Sequence, residues 1–201
     1  MERIESLDAL HALYGEPGEA ATAKVAPRLT PGYRRWIERS RFCVLSTVGP
    51  EGADGSPRGD DGPVVAILDE GRLALPDWRG NQRIDSLRNI VRDGRAALMF
   101  FVPGSNNVLR VNGRAFLTAD EALRDSFARG PLRPATVVVL EIEEIYPQCA
   151  RALLRAGLWK AGDESEGLPS VGEMLAEITK GGIDGAAYDA DWPGRAAKTM
   201  W

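Results

Sequence analysis

The stretch Leu73-Ala-Leu-Pro-Asp-Trp-Arg-Gly-Asn-Gln-Arg-Ile-Asp-Ser-Leu87 gathers the residues best suited to hold an anion. Its pattern predicts a strand ending at Pro76, a turn carrying Asp77, Arg79, Gly80 and Asn81, and a helix from about Asn81 to Arg92 with Arg83 in its first turn. Free backbone N–H groups and the helix dipole favour negative charge at such a start, and two guanidinium groups add charge-assisted donors. A phosphate suits that turn. The same spacing also allows Arg79 and Arg83 to pair with Asp77 and Asp85 on a solvated surface.

Two further clusters carry polar groups that a ligand could use. In Gly55-Ser-Pro-Arg-Gly-Asp-Asp-Gly62, Arg58 stands between a proline that stiffens the backbone and a glycine that admits close approach. Read as a connection between strands, this segment is long and rich in charge, and a plain surface turn is the competing reading. In Asn106-Asn-Val-Leu-Arg-Val-Asn-Gly-Arg114, strand alternation puts Arg110, Asn112 and Arg114 on one face and Leu109, Val111 and Gly113 on the other. The polar face either lines a groove or meets water.

Several chemistries lack their residues. The chain has one histidine, His11, and two cysteines, Cys43 and Cys149, in no CxxC pair, so a His/Cys zinc site is not expected. A histidine-dependent nucleophile would have to use His11, which sits among apolar residues at helical spacing and reads as a surface-helix residue. Cys43 reads as strand packing, and Cys149, at a helix start, is given no redox role. Neither a Walker A pattern nor G-x-G-x-x-G occurs. An enzyme with so few groups able to shuttle protons near neutrality would draw its chemistry from a cofactor.

Composition narrows the class. The 201 residues are 44% hydrophobic and 27% charged, with a formal charge of −4, which suits one globular unit and offers no basic excess for a nucleic-acid backbone. The opening Met-Glu-Arg-Ile-Glu-Ser lacks the order of a signal peptide, and the longest apolar run, Ala96 to Val102, is too short to span a bilayer. A cytoplasmic protein without membrane or nucleic-acid partners is the expectation.

The elements that must position these clusters follow from periodicity. Residues 1–40 read as a helical segment of two helices, one with Ile4, Leu7, Leu10 and Leu13 on a face, the other capped by Thr30 and Pro31; both should cover something apolar. Residues 41–147 read as the β core, with strands at Phe42–Val48, Val64–Leu68, Arg72–Leu75, Ala96–Val102, Val108–Leu117 and Thr136–Ile145. Turn clusters at Gly49–Gly55, Asp69–Gly71 and Pro103–Asn107 separate them, and a helix at about Asp120–Ala128 lies between the last two. Six short strands with few helices between them point to an antiparallel sheet curled into a barrel, mainly β with flanking helices. Residues 148–201 read as a helical segment, with helices at Cys149–Ala156 and from Ser170, capped with Glu173, to Gly181-Gly182; Ile183 to Trp201 shows no clear period. The whole reads as a single domain.

In order along the chain, Phe42-Cys-Val-Leu-Ser-Thr-Val48, Ser56-Pro-Arg-Gly-Asp60, Leu75-Pro-Asp-Trp-Arg-Gly-Asn-Gln-Arg-Ile-Asp85 and Leu109-Arg-Val-Asn-Gly-Arg-Ala115 resemble the pyridoxamine 5′-phosphate oxidase-like family, most closely its branch of enzymes classed as FMN-dependent with unassigned substrate. The match spans about Thr30 to Trp159. The resemblance implies a six-stranded flavin-binding split β-barrel and a homodimer with FMN in clefts at the subunit interface. It implies phosphate contacts from Arg83 and Arg79, with Asn81 at the phosphate or capping the helix and Gly80 in the same turn. It sets Pro76 and Asp77 against the ribityl chain and makes Arg58, Gly59 and Asp60 flavin contacts. Asn106, Asn107, Val108 and Arg110 lie where the family contributes further contacts, often from the other subunit, and Trp159 would either cap the cleft or pack on the barrel.

The implied activity is hydride or electron transfer between FMN and a small organic substrate, with NAD(P)H or the substrate as donor; no catalytic residue is assigned. A deazaflavin reductase, which would call for more basic residues, and a non-catalytic flavin sensor or carrier are the alternatives. Haem is the weakest, with His11 alone to ligate it. Pyridoxamine phosphate oxidase itself uses a basic C-terminal segment and a histidine in its substrate pocket. This chain has no histidine after His11, and Arg195 in Trp192-Pro-Gly-Arg195 has no secure counterpart, so the vitamin B6 reaction is not expected.

Overall fold

The computed structural model describes residues 1–201. Three helices, α1 (Leu7–Tyr14), α2 (Glu19–Ala23) and α3 (Pro31–Arg39), precede strands β1 (Phe42–Gly49), β2 (Gly52–Gly59), β3 (Ala66–Ile67) and β4 (Arg72–Asp77). After α4 (Asp85–Arg92) come β5 (Arg95–Phe101), β6 (Val108–Thr118), α5 (Glu121–Asp125) and β7 (Thr136–Gln148), then α6 (Arg151–Ala156), α7 (Val171–Ile178) and α8 (Gly185–Thr199).

The strands form one antiparallel sheet in the order β2-β1-β5-β6-β7-β4-β3. Arg58 on β2 reaches Asp77 on β4 at 2.8 Å although β1, β5, β6 and β7 lie between those strands in the order, so the sheet curls until its two ends face each other. This is the expected antiparallel sheet with flanking helices, but with seven strands instead of six.

The extra strand is β2. Its Gly- and Pro-rich sequence reads as a loop, yet Gly49 and Gly52 close a two-residue turn at Pro50-Glu51, and the ladder runs from there to Phe42 opposite Gly59. Pro57 is tolerated because β2 is the sheet edge, where one side of the backbone needs no partner. The Val64–Leu68 strand shrinks to Ala66–Ile67, since the Val64 N–H is taken by the Ser40 carbonyl at 2.9 Å.

Inside the curl, Leu45, Leu73, Leu98, Phe100, Leu109, Val111, Leu140 and Ile145 are almost wholly buried with Ile37 from α3. Each such side chain contributes about 1.5–3 kcal/mol relative to exposure. Helix α4 adds Leu87 and Ile90 to that core, and its buried Asn89 donates to Thr47 Oγ1 at 3.2 Å. Helix α3, begun by Thr30 and Pro31 as expected, covers the core, with Tyr33 and Trp36 packed beside Ile37. Helix α1 does not: Leu7, Leu10 and Leu13 are all exposed, correcting the expectation that both early helices cover apolar surface.

The capping box of Ser170 and Glu173 forms and starts α7. The segment after Ile183 is helical, capped by Asp184, despite Pro193 inside it, so its lack of period did not mean lack of structure. The helix expected over Asp120–Ala128 is limited to the five residues of α5. No helix is long and apolar enough to cross a membrane.

Candidate functional site

The ends of β2 and β4 meet through charged side chains. Arg58 Nη1 donates to Asp77 Oδ1 at 2.8 Å, with both side chains about four-fifths buried. Arg58 Nε is fully buried and has no partner, and neither has the buried hydroxyl of Thr136, which stands opposite Asp77 in the β4–β7 ladder. An unpaired buried donor normally costs free energy, so these orphans mark the place in the fold that a ligand's acceptors would relieve.

One step along each segment, Trp78 Nε1 donates to Asp60 Oδ2 at 3.3 Å, and Arg129 binds both Asp60 and Asp61. The Arg129 guanidinium holds the Asp61 carboxyl down at about 2. Gly59 ends β2 with its Cα hydrogen turned toward Phe42 and the Arg41 carbonyl, where an added Cβ would make only ordinary contact. Pro76 is buried opposite Val137, and β3 does not extend that far along β4.

Trp78 to Ile84 form the loop between β4 and α4, exposed from Arg79 onward. The expectation of a helix from Asn81 fails here for a local reason. Gln82 and Ile84 have φ of 60° and 55°, in the left-handed region, and Asn81 Oδ1 accepts from the Arg83 N–H at 3.1 Å, closing a turn instead of a helix. The helix starts at Asp85, so Arg83 lies before its first turn. Asp85 takes the acidic first-turn position that the dipole prefers and accepts from Arg83 Nε at 2.8 Å. The pairing alternative therefore holds for Arg83 and fails for Arg79: Asp77 turns to Arg58, and Arg79 has no ion pair. A β-branched residue such as Ile84 at positive φ is strained by about 1–3 kcal/mol, a cost met where surrounding structure or function demands it.

The third cluster lies elsewhere. Asn106 and Asn107 sit in the β5–β6 turn, and Val108 pairs with Gln148 at the far end of β7 from Thr136. Arg110 lies over the Tyr146 ring at 5.4 Å and donates to Gln148 at 3.4 Å. Arg110 lies toward the far end of β7 from Asp77, yet only three strands across the sheet from Pro57, by way of Met99 and Val44, about 14 Å at the usual strand spacing. Asn112 donates to Glu144 at 2.6 Å, which leaves its Oδ1 buried and unpaired. Trp159 docks α6 on the same turn by donating to the Ser105 carbonyl at 2.7 Å.

Sequence reasoning missed Trp78, Arg129, Thr136 and Trp201. Trp78 stands between Asp77 and Arg79, a position that could have flagged it; Arg129 and Thr136 carry no local signal. No cluster of three or more potential metal ligands is present.

The family model for pyridoxamine 5′-phosphate oxidase matches residues 29–149. No curated protein matches the chain. Among solved structures, HupZ of Group A Streptococcus is 18% identical, covering 58% of this chain and 91% of its own, with a TM-score of 0.48. A candidate pyridoxamine 5′-phosphate oxidase from Lactobacillus delbrueckii is 22% identical, covering 60% and 95%, with a TM-score of 0.48. An FMN-binding protein from Syntrophomonas wolfei is 16% identical, covering 58% and 88%, with a TM-score of 0.40.

Proposed function

The chain belongs to the pyridoxamine 5′-phosphate oxidase family, and from that premise we propose that it is an FMN-dependent oxidoreductase acting on a small organic substrate. The family match carries this reading. The residues fit an anionic, heteroaromatic cofactor: an unpaired Arg79 and an exposed Arg83 share a strained loop, and the orphaned Arg58 Nε and Thr136 hydroxyl flank Asp77.

Arg79 and Arg83 would hold the phosphate, with Asn81 fixing the loop and Gly80 leaving its backbone approachable. Arg83 would exchange Asp85 for the phosphate, a charge-for-charge swap at an exposed position. Pro76 and Asp77 would line the ribityl chain. Arg58, oriented by Asp77, would donate to the flavin's polar edge, with Gly59 and Asp60 beside it. When bound, FMN supplies a ring that accepts hydride or single electrons. A cation such as Arg58 near that edge stabilises negative charge as it develops. No side chain here is assigned as proton donor, and the electron donor is NAD(P)H or the substrate.

We propose further that the protein is a homodimer. Asn106, Asn107, Val108 and Arg110 border the apolar outer face of β1 and β5, so a second copy docked on that face would set them against its cofactor. That arrangement suits a split barrel with its cofactor at the subunit interface.

The test is an absorbance spectrum of freshly purified protein with mass spectrometry of whatever acid releases. Two flavin bands and a released FMN mass are expected; a colourless protein that also fails to bind added FMN overturns the reading. Arg83→Glu should weaken FMN binding by tenfold or more, about 1.4 kcal/mol or above, in a fluorescence titration, and unchanged affinity would remove Arg83 from the site. Repeated turnover of reduced protein with air or candidate acceptors separates an enzyme from a carrier, whose reoxidation stays stoichiometric.

A further inference from the structure

We infer that Trp201 is part of the flavin site: with Trp78 it forms an aromatic wall beside the bound ring, and α8 is the strap that delivers it. This rests on the flavin reading above.

Trp201 lies two residues beyond α8, yet its ring is half-buried and meets Trp78 edge-on, with centroids 5.4 Å apart and planes at 78°. The Arg129 guanidinium lies 3.9 Å from the Trp201 ring centroid and 5.6 Å from that of Trp78. Arg129 in turn bonds to Asp61 at 2.6 and 2.8 Å and to Asp60, whose side chain is only 7% exposed. One cation thus ties the loop after β2, the residue after β4, the connection into β7 and the segment after α8. Neither indole belongs to the hydrophobic core, so core packing does not account for the arrangement.

Position gives the wall its meaning. Trp78 directly follows Asp77, the partner of Arg58, and directly precedes Arg79, while Asp60 lies two residues from Arg58. Trp201 is therefore one ring away from the groups assigned to the ribityl chain, the flavin edge and the phosphate.

The other end of the strap is firmly seated. The α7 and α8 backbones touch at Gly172 and Gly185, where a Cβ would come within 2.1 and 2.3 Å of the opposing carbonyl oxygens. Asp189 accepts from the Gly172 N–H at 2.9 Å and from the Ser170 hydroxyl. Farther along, Arg195 lies over the Tyr188 ring at 4.2 Å and donates to its carbonyl at 3.0 Å. With α8 fixed at its start on α7 and its far end on Arg129, the indole is presented as a fixed surface.

An electron-rich indole next to a flavin shields one side of the ring from water and quenches its emission by electron transfer. The test uses the 201-residue chain, Trp201→Ala and Trp201→Phe, each titrated with FMN and followed by flavin fluorescence and by iodide quenching of the bound flavin. Trp201→Ala should brighten the bound flavin and open it to iodide several-fold, with FMN affinity about fivefold weaker. Trp201→Phe should keep iodide out while still brightening the flavin, because its ring shields without donating an electron. If the parent binds FMN and Trp201→Ala matches it in brightness and iodide access, the wall is refuted and the flavin reading stands. If the parent binds no FMN, both fall together.

Discussion

Cys43 and Arg58 face each other across β1 and β2, and burial there acts on an ionisable thiol with little opposition. Removal from water pushes the Cys43 thiol up to about 12, with the Arg58 charge pulling weakly the other way. The folded state therefore keeps a proton that the unfolded chain loses from about 9 upward. Stability should fall as pH rises from that value to about 12, and a Cys43→Ala variant should lack this component of the alkaline slope in urea melts at several pH values. A thiol reagent at mildly alkaline pH should titrate one group per native chain, the exposed Cys149, and two after denaturation. Fast reaction of both thiols in the native protein would contradict the burial of Cys43. The buried reading of Cys43 followed from its place in an apolar strand, whereas its neighbour's partner did not. Arg58 binds an aspartate 19 residues away, and Arg129 binds two that are 69 and 68 residues away. Local spacing offered Arg79 as the partner for Asp77, and only the curled sheet brings Arg58 there instead.

Strand β6 shows how an element tolerates a close approach at one residue only. The ladder with β7 shifts register between Asn112 and Gly113, and a Cβ on Gly113 would lie 1.9 Å from the Glu141 carbonyl oxygen and 3.0 Å from its carbon. Both obstacles are backbone in the middle of a sheet, so neither can swing aside. Gly113→Ala should cost at least about 2 kcal/mol, read as a lowered urea midpoint with unchanged slope. Gly55→Ala on the edge strand β2, where nothing lies within 4 Å, should shift the midpoint little. Equal effects at the two sites would mean the bulge is not under this constraint. Elements whose residues declare their faces were legible: β1, β5, β6, β7 and α3 lie where alternation or helical spacing put them, to within a few residues. Strand β2 was not, because Gly-Ala-Asp-Gly-Ser-Pro-Arg-Gly has few side chains to bury and is held by its backbone ladder at the sheet edge. The start of α4 was hidden likewise, since left-handed Gln82 and Ile84 are residue types that rarely adopt that conformation.

At the scale of the molecule, the outward face of the sheet is more apolar than water alone would favour. Phe42, Val44, Met99 and Phe101 occupy neighbouring positions on β1 and β5, with Phe42 41% exposed and its ring 5.9 Å from that of Phe101. Arg110 aligns with Met99 in the next strand, so the patch borders the cluster that the cofactor would draw from a second copy. Apolar area of this kind on a folded chain marks a surface made for contact, and an isologous pairing repeats the same patch on both partners. Sedimentation should therefore find a dimer. Phe101→Asp, which puts a charge into that apolar patch, should shift the protein toward monomer and weaken FMN binding in the same concentration range. Phe101 packs on Phe42, which pairs with Gly59, so the joint loss speaks for a site completed by the partner only if FMN affinity returns when higher concentration restores the dimer. A monomeric Phe101→Asp that keeps its FMN affinity would return Asn106 to Arg110 to a purely structural role and leave the cofactor to the ends of β2 and β4 alone.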